Sequence, residues 1–397
     1  MRRVVSLATL FPSPARPAFG GFVARQMQAL ALRGDVDVVV INPLGIPPWP
    51  LSLREPYRSL AGVAEVSVMN GLTVHHPRFR AIPRFGADSN PARIAAAVLP
   101  LVRRLHRERP FDLVDAQFFF PDGPAAARIA AELGLPLSIK ARGSDIHYWS
   151  TRPGALGQML AAADQATGML AVSNALRCDM AALGMSKARI AVHYTGLDHA
   201  RFRVIQRHIA RAAIAADPGI GIPGDGPLLV TPGAMIPVKG QRLAIEALAH
   251  LPTSRLALAG TGGDEMDLRA LAAKLGLTKR VHFLGQVSHE ILPTVLCAAD
   301  VVVLPSQREG LANVWIEALA CGAPLVIPDV GGAREVVHDA SAGRLVPRDP
   351  QAIAVAVRAL LANPPEQTTV AANAARFDWA TNAAQLAEHY HRLADRA

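Results

Sequence analysis

Short apolar runs alternate with longer alanine-rich segments of helical character along this chain, and the alternation stops once and starts again. In the first half the runs are VVSLATLF (4–11), DVDVVVINP, FDLVDAQFF (111–119), LPLSIKAR (135–142) and ATGMLAVS (166–173). In the second half they are PLLVTPG (227–233), SRLALAG (254–260), RVHFLG (280–285), DVVVLPS (300–306) and APLVIPD (323–329). Runs that are apolar at nearly every position suit strands buried on both faces, as in parallel sheets covered by helices. The helical segments supply those covers: FVARQMQALALRG ends at Gly34, a suitable C-cap, and QRLAIEALAHL and DEMDLRALAAKLG recur later. Between the halves, 203–227 ends in a Gly/Pro cluster that reads as a linker. The expectation is an α/β protein of two doubly wound parallel-sheet domains facing across a cleft, where ligands of such sheets usually sit.

Composition narrows the class. Of 397 residues, 51% are hydrophobic and 18% charged, enough apolar surface to build real cores and to exclude a disordered chain. Gly and Pro number 31 each without a period, which excludes collagen-like structure. Three distant cysteines, Cys178, Cys297 and Cys321, make neither a disulfide framework nor a zinc site, so a reducing cytoplasm is the expected home. The opening MRRVVSLATLF has an apolar run that stops at Pro12 with no small-residue cleavage site after it, and it reads as a first strand. No run approaches 18 uninterrupted apolar residues, so no membrane span is expected.

The charge is lopsided. Residues 1–205 hold 24 Lys/Arg against 14 Asp/Glu, a net +10, while 206–397 hold 17 against 18, a net −1. A basic first half points to an anionic partner, either a phosphorylated ligand or an acidic membrane face. Nucleic acid is not expected, because no recognition motif and few aromatics accompany the basic residues. RIAAAVLPLVRRLHRER (93–109) combines apolar and arginine-rich parts and is the expected membrane-docking element, although an ordinary core-packed helix kinked at Pro100 has the same pattern.

Five constellations could carry chemistry. QREGLANVWIEALACGAPLV (307–326) follows a strand, which sets Glu309 and Gly310 in a strand-to-helix loop and Glu317 about two turns into the helix. Eight helical steps span at most about 12 Å, the scale of a nucleotide-sugar from hexose to ribose. A carboxylate at each end would accept hydrogen bonds from hydroxyls, and exposed amides of Gly310, Leu311 and Ala312 would receive the pyrophosphate between them. An exposed loop glutamate and an ordinary helix glutamate would show the same spacing. TPGAMIPVKGQRLAIEAL (231–248) places Lys239-Gly240 at a helix start, well suited to phosphate charge and equally to a solvated loop lysine. Gly20-Gly21 allow close backbone approach after the first strand, or a plain turn. AGTGGDEMDL (259–268) lacks the G-x-G-x-x-G spacing of a dinucleotide site. IKARGSDIHYW (139–149) puts Arg142, Asp145 and His147 at a sheet edge, where Arg142 and Asp145 could pair with each other.

Taken in order, these segments resemble the retaining glycosyltransferases of family GT4, which have the GT-B fold. Glu309 to Glu317 matches the family's E-x7-E motif, GAMIPVKG its lysine loop, Gly20-Gly21 its N-terminal glycine loop and TGLDHARF (195–202) its N-G-V-D segment. AGTGGDE, VHFLG and DVGGAREVV (329–337) follow in sequence. PDG (121–123) with ARGSD (141–145) is similar to a bacterial branch of teichuronic-acid and other surface-polysaccharide enzymes. Three positions depart from the family: Ala234 stands where an arginine is common, Arg142 where many relatives carry a histidine, and Thr195 where the family has Asn.

The resemblance implies an acceptor-side Rossmann-like domain over 1–203, a nucleotide-sugar domain over 204–378, and a last helix, 379–397, that returns to the first domain. It implies Lys239, Glu309 and Arg142 as the catalytic set, with Lys239 on the donor diphosphate, Glu309 on the transferred sugar and Glu317 on the ribose. Gly20, Gly21, Gly233, Gly310, Leu311, Ala312 and Asn313 complete the donor side, while Arg142, Asp145 and His147 face the acceptor. The expected reaction is retaining, metal-free transfer of a hexose-type sugar from a nucleotide diphosphate sugar to a hydroxyl acceptor, without a cofactor. A lipid-linked saccharide is the expected acceptor, met by a cytoplasmic enzyme peripheral on the inner face of the cell membrane. A GT-B epimerase and an inactive nucleotide-sugar-binding scaffold stay open as alternatives, the second favoured by Ala234 and Arg142 and opposed by intact Lys239, Glu309 and Glu317.

Overall fold

The computed structural model of the chain describes every residue except 18, 83–85, 223–225 and 397. Two compact units emerge: Met1–Gly196 with Trp379–Ala397, and Leu197–Asp378.

In the first unit the strands are β1 (Arg2–Leu7), β2 (Val36–Ile41), β3 (Leu44–Ile46), β4 (Val66–Met69), β5 (Leu72–His75), β6 (Arg78–Arg80), β7 (Leu113–Ala116), β8 (Leu137–Ala141), β9 (Gly168–Ala171) and β10 (Ile190–Val192). Eight of them form one sheet in the order β10-β9-β8-β7-β1-β2-β5-β4. Its pairs are parallel except β4 with β5, and β3 pairs with β6 in a separate parallel ribbon. Every residue of β7, β8 and β9 is buried, as strands covered on both faces must be. The helix Gly21–Leu32 and the last helix, Trp379–Ala394, pack against one another, and Val23, Met27, Leu386 and Tyr390 join Val4 and Val40 in one core.

The second unit contains β11 (Leu228–Pro232), β12 (Arg255–Ala259), β13 (Val281–Gly285), β14 (Val301–Val303), β15 (Leu325–Ile327) and β16 (Gly343–Leu345). They form an all-parallel sheet in the order β13-β12-β11-β14-β15-β16. The helices Gln241–Leu248, Glu265–Lys274 and Pro350–Ala362 close its core with Ile245, Leu248, Leu271, Ile353 and Val357.

In both sheets the chain leaves a central strand in one direction, then returns to build on its other side. The reversal falls between β1 and β7 in the first unit and between β11 and β14 in the second. Such switch points splay the loops at the strands' carboxyl ends and open a crevice for ligand.

Two details differ from the sequence expectations. The stretch 44–80 forms the ribbon and the antiparallel β4–β5 hairpin, which the parallel alternation did not suggest. Asn70 and Gly71 turn that hairpin with φ of 51° and 76°, the paired positive values of a tight two-residue turn. The expected linker 203–227 carries a helix, Arg207–Ala216, and its residues 223–225 lie outside the described residues. The helix Asn90–Glu108 runs through Pro100 without interruption. Pro100 and Ala96 are both exposed, so the carbonyl that the proline ring leaves unbonded can be hydrated. No helix among the described residues is long and apolar enough to cross a membrane.

Candidate active site

At the second unit's switch point the loops after β11 and β14 bring the two strongest sequence candidates together. Lys239 closes a single 3-10 turn, Pro237–Lys239, and Glu309 sits in the loop ahead of the helix Asn313–Ala320. Lys239 Nζ donates to Glu309 Oε1 at 2.6 Å, with the glutamate side chain 11% exposed and the lysine 26%. Seventy residues of chain separate them, so the ion pair is a product of the fold.

Backbone geometry fixes this pair. Gly240 has φ 72°, and a Cβ there would lie 2.4 Å from the Pro305 carbonyl oxygen, so only glycine lets the lysine loop rest on the loop after β14. Gln307 N donates to Val238 O at 2.7 Å and clamps the same two loops. From the other side Gly331, φ 50°, comes so close that a Cβ would meet Glu309 O at 2.0 Å, while Gly332 N donates to Gly310 O at 2.8 Å. The glycines of DVGGAREVV therefore hold the Glu309–Gly310 backbone. Gly233, φ 129°, leaves β11 with open space where a Cβ would point.

Glu317 is the fifth residue of its helix, so it stands just over one turn in, not two, because the loop runs on to Ala312. Trp315, Ile316 and Leu319 bury the helix in the core, while Asn313 and Glu317, one turn apart on one face, stay half-buried. Leu311 and Ala312 are 7% and 9% exposed. Among the described residues no group of three His, Cys, Asp or Glu is placed to hold a metal ion.

The first unit's switch point is built on buried polar groups. Gly20 caps the helix Gly21–Leu32 at φ 69°, and a Cβ there would sit 2.5 Å from Leu10 O. Gly21, by contrast, has open space around it. The loop after β1 is anchored by Asp122, which accepts from Thr9 Oγ1 at 2.6 Å and from Thr9 N at 3.0 Å. Burial raises the Asp122 carboxyl to about 7 against the pull of these two donors.

Arg142 follows β8 directly and is half-buried. Its Nε donates to Gln117 O at 2.7 Å, its Nη2 donates to the side-chain oxygens of both Gln117 and Gln26, and its guanidinium lies 4.9 Å from the Phe22 ring centroid. Burial lowers it to about 10, which leaves it cationic at neutral pH. Asp145 does not pair with that guanidinium: it is buried and accepts from the backbone N–H groups of Phe119, Arg142, Gly143 and Ile146. Burial still pushes its carboxyl up. His147 Nε2 meets Asp179 Oδ2 at 2.9 Å.

The sequence reading passed over the residues that hold Arg142. Lys140, fully buried in β8, donates to Gln26 Oε1 at 2.9 Å and to His193 Nδ1 at 2.7 Å. His193 Nε2 faces the Asn382 carbonyl at 2.9 Å, so Nε2 carries the proton and Nδ1 accepts. Gln117 donates to Asp115 Oδ2 at 2.6 Å, and Ser6 donates to the same oxygen at 2.8 Å. Burial drives Lys140 well below the usual lysine range, with Arg142 adding to the effect, and raises Asp115. A lysine and an aspartate inside otherwise apolar strand runs were the available signal.

Known structures share this architecture. Over 99% of this chain and 100% of the other, the UDP complex of HepE from Anabaena superposes with a TM-score of 0.76 at 22% identity. Sucrose-phosphate synthase from Thermosynechococcus elongatus gives 0.79, also at 22% identity, over the whole of both chains. These likenesses give the fold class, GT-B. In sequence, residues 20–201 match the model of Glycosyltransferase Family 4 and 215–377 that of Glycosyl transferases group 1. The putative teichuronic acid biosynthesis glycosyltransferase TuaC of Bacillus subtilis is 31% identical over 359 residues, 89% of this chain and 88% of its own length. D-inositol 3-phosphate glycosyltransferase of Mycobacterium tuberculosis is 39% identical over 168 residues, 41% of this chain and 34% of that one. The chain therefore belongs to the family-4 glycosyltransferases.

Proposed function

We propose that the protein transfers a hexose-type sugar from a nucleotide diphosphate sugar to a hydroxyl of a lipid-linked saccharide, with retention at the anomeric carbon and without a metal ion. The observation that carries this reading is the Lys239–Glu309 pair at the carboxyl ends of β11 and β14. HepE has been captured with UDP and with UDP-glucose, which supports a nucleotide sugar as donor here. The name of the Bacillus relative supports an acceptor in surface-polysaccharide synthesis.

In the proposed mechanism the bond between the anomeric carbon and the diphosphate oxygen breaks as the acceptor oxygen bonds on the same face. The leaving oxygen takes the acceptor's proton. Negative charge grows on the diphosphate, and Lys239 with the first amides of the helix Asn313–Ala320 meets it. Glu309, released from Lys239 as phosphate takes its place, receives the sugar hydroxyls. Glu317 accepts from the ribose hydroxyls. Arg142, held by Gln117 and Gln26, offers a fixed cation on the acceptor side. Gly20 lets the helix start rest on the loop after β1, and Gly21 beside it leaves open space for donor.

The test is the product's anomeric configuration by NMR, with UDP- and GDP-sugars and a lipid-linked saccharide, in the presence of EDTA. Retention with full activity is expected. Inversion would overturn the mechanism, and activity restored only by Mg²⁺ or Mn²⁺ would overturn its metal independence.

A further inference from the structure

The helix Asn90–Glu108, whose sequence suits membrane docking, has little to dock with. Ile94, Val98 and Val102 are fully buried, Arg103 pairs with Glu132, and Arg104 reaches Glu108 at 3.9 Å. Exposed apolar surface gathers elsewhere. Among the described residues fifteen large apolar side chains are exposed, and five of them, Trp49, Leu51, Leu53, Val66 and Val68, fall between positions 49 and 68.

Trp49 is 78% exposed and Leu53 60%. Neither is a loose end. Trp49 lies between Pro48 and Pro50, Leu51–Leu53 form a 3-10 turn in which Leu53 N donates to Pro50 O, and Tyr57 N bonds back to Arg54 O. Behind the turn, Tyr57 and Ile46 pack on a small separate core of Leu44, Leu60 and Val63. A rigid turn that holds a tryptophan and two leucines in water loses hydrophobic free energy unless something covers it.

We infer that the turn 49–54 is a membrane-docking element that seats Trp49, Leu51 and Leu53 in the interface of an anionic bilayer. Charge selects that occupant. Arg54 follows the turn, its side chain makes no hydrogen bond or ion pair among the described residues, and the segment 44–80 carries four arginines against two glutamates. Residues 1–205 have a net +10 behind it. A tryptophan with leucines and arginine beside it matches an interface that is apolar below and anionic above. Arg58 contributes less, since Glu55 pairs with it at 2.9 Å. The inference takes from the proposed function only that the acceptor is borne on a membrane.

Vesicle co-sedimentation tests it, using the full chain and phosphatidylcholine vesicles with and without phosphatidylglycerol. The expected result is binding that needs phosphatidylglycerol, weakens with salt, and is accompanied by fluorescence quenching from bromine-labelled acyl chains. Trp49→Ser and Leu53→Ser should each lower the partition constant about tenfold or more with no change in thermal midpoint. No binding to anionic vesicles overturns the proposal. So does binding that survives both substitutions but is lost on reversing Arg103, Arg104 and Arg107 to Glu, which would place docking on the helix. Lipid-independent self-association removed by Trp49→Ser would identify a second copy of the chain as the occupant and overturn it too. Nucleotide binding is measured separately, so its failure would sink the proposed reaction without touching this result.

Discussion

Lys239 and Glu317, both assigned to the donor in the proposed reaction, should fail differently when altered. Glu317 would bind ribose in ground and transition states alike, so Glu317→Ala should weaken nucleotide binding by about 1.5–3 kcal/mol, the worth of a hydrogen bond to a charged group. Isothermal titration with UDP and GDP measures it, and unchanged affinity would reduce Glu317 to a helix-face residue. In the proposed reaction Lys239 would act on charge that appears as the diphosphate leaves. Lys239→Gln keeps an N–H to offer Glu309 Oε1 but removes the charge, and should cost about 10²–10³ in kcat with little change in nucleotide affinity. A raised KM at constant kcat would show uniform binding instead. Asp122 makes a residue-scale statement about stability. Its carboxyl lies near 7 in the fold against 3.8 in an unfolded chain, so the protonated form favours folding. That contribution is complete below pH 3.8 and is lost as pH rises through about 7, up to roughly 4 kcal/mol for three units. Asp122→Asn removes the titration. Urea unfolding at pH 4.5 and 7.5 should show the variant gaining on the parent at the higher pH, and parallel pH dependences would show that Asp122 does not titrate in that range.

At the scale of elements, the loops depend on glycines that touch backbone. Gly331→Ala would set a Cβ 2.0 Å from Glu309 O at a φ of 50°, so the Glu309 loop must move. The strain is of order 1–3 kcal/mol. Turnover should fall more than that figure suggests, because the Glu309 carboxylate leaves its place beside Lys239. Gly21→Ala, with open space around it, serves as the control whose melting temperature should barely change. These contrasts also show what was legible beforehand. The parallel strands were readable because full burial leaves a continuous apolar run, and Lys239 and Glu309 because each follows such a run. That Gly331 supports Glu309 was not readable, since a contact across 22 residues leaves no local trace. The β4–β5 hairpin is legible in principle: Asn70-Gly71 between VSVM and LTVH carries the sequence signature of a tight hairpin turn, which departs from the parallel alternation around it. Glu317 was misplaced by a turn because the Asn of GLAN, a residue favoured at helix starts, marks the boundary at Asn313 rather than at Gly310.

Across the whole molecule the two units bury different chemistry. Asp115, Asp122, Lys140, Asp145, His193 and His389 are buried in the first unit, whereas the buried polar residues of the second are the neutral Thr231, Gln241, Ser254 and Ser306. Lys140 and Asp115 could be noticed as ionisable residues in apolar strand runs, but the network around them could not be read, because its partners arrive from distant elements, as Gln26 and His193 do for Lys140. The groups proposed for the donor follow the opposite division: Lys239, Glu309 and Glu317 all belong to the second unit. Each unit has its own core, so heating should reveal two transitions. Trp315 is the sole tryptophan between 197 and 378 and lies fully buried, so its fluorescence reports the second unit, while Trp49, Trp149 and Trp379 report the first. A nucleotide bound through Lys239 and Glu317 at 100 times its dissociation constant should stabilise the second unit by about 2.7 kcal/mol through mass action. The first unit's transition should stay within error of its unliganded position. Calorimetry with and without UDP, repeated on Trp315→Phe to confirm which transition that residue reports, decides the matter. If nucleotide raised only the transition carrying the other three tryptophans, the donor would sit on the first unit and the assignment of Lys239 and Glu317 would fall.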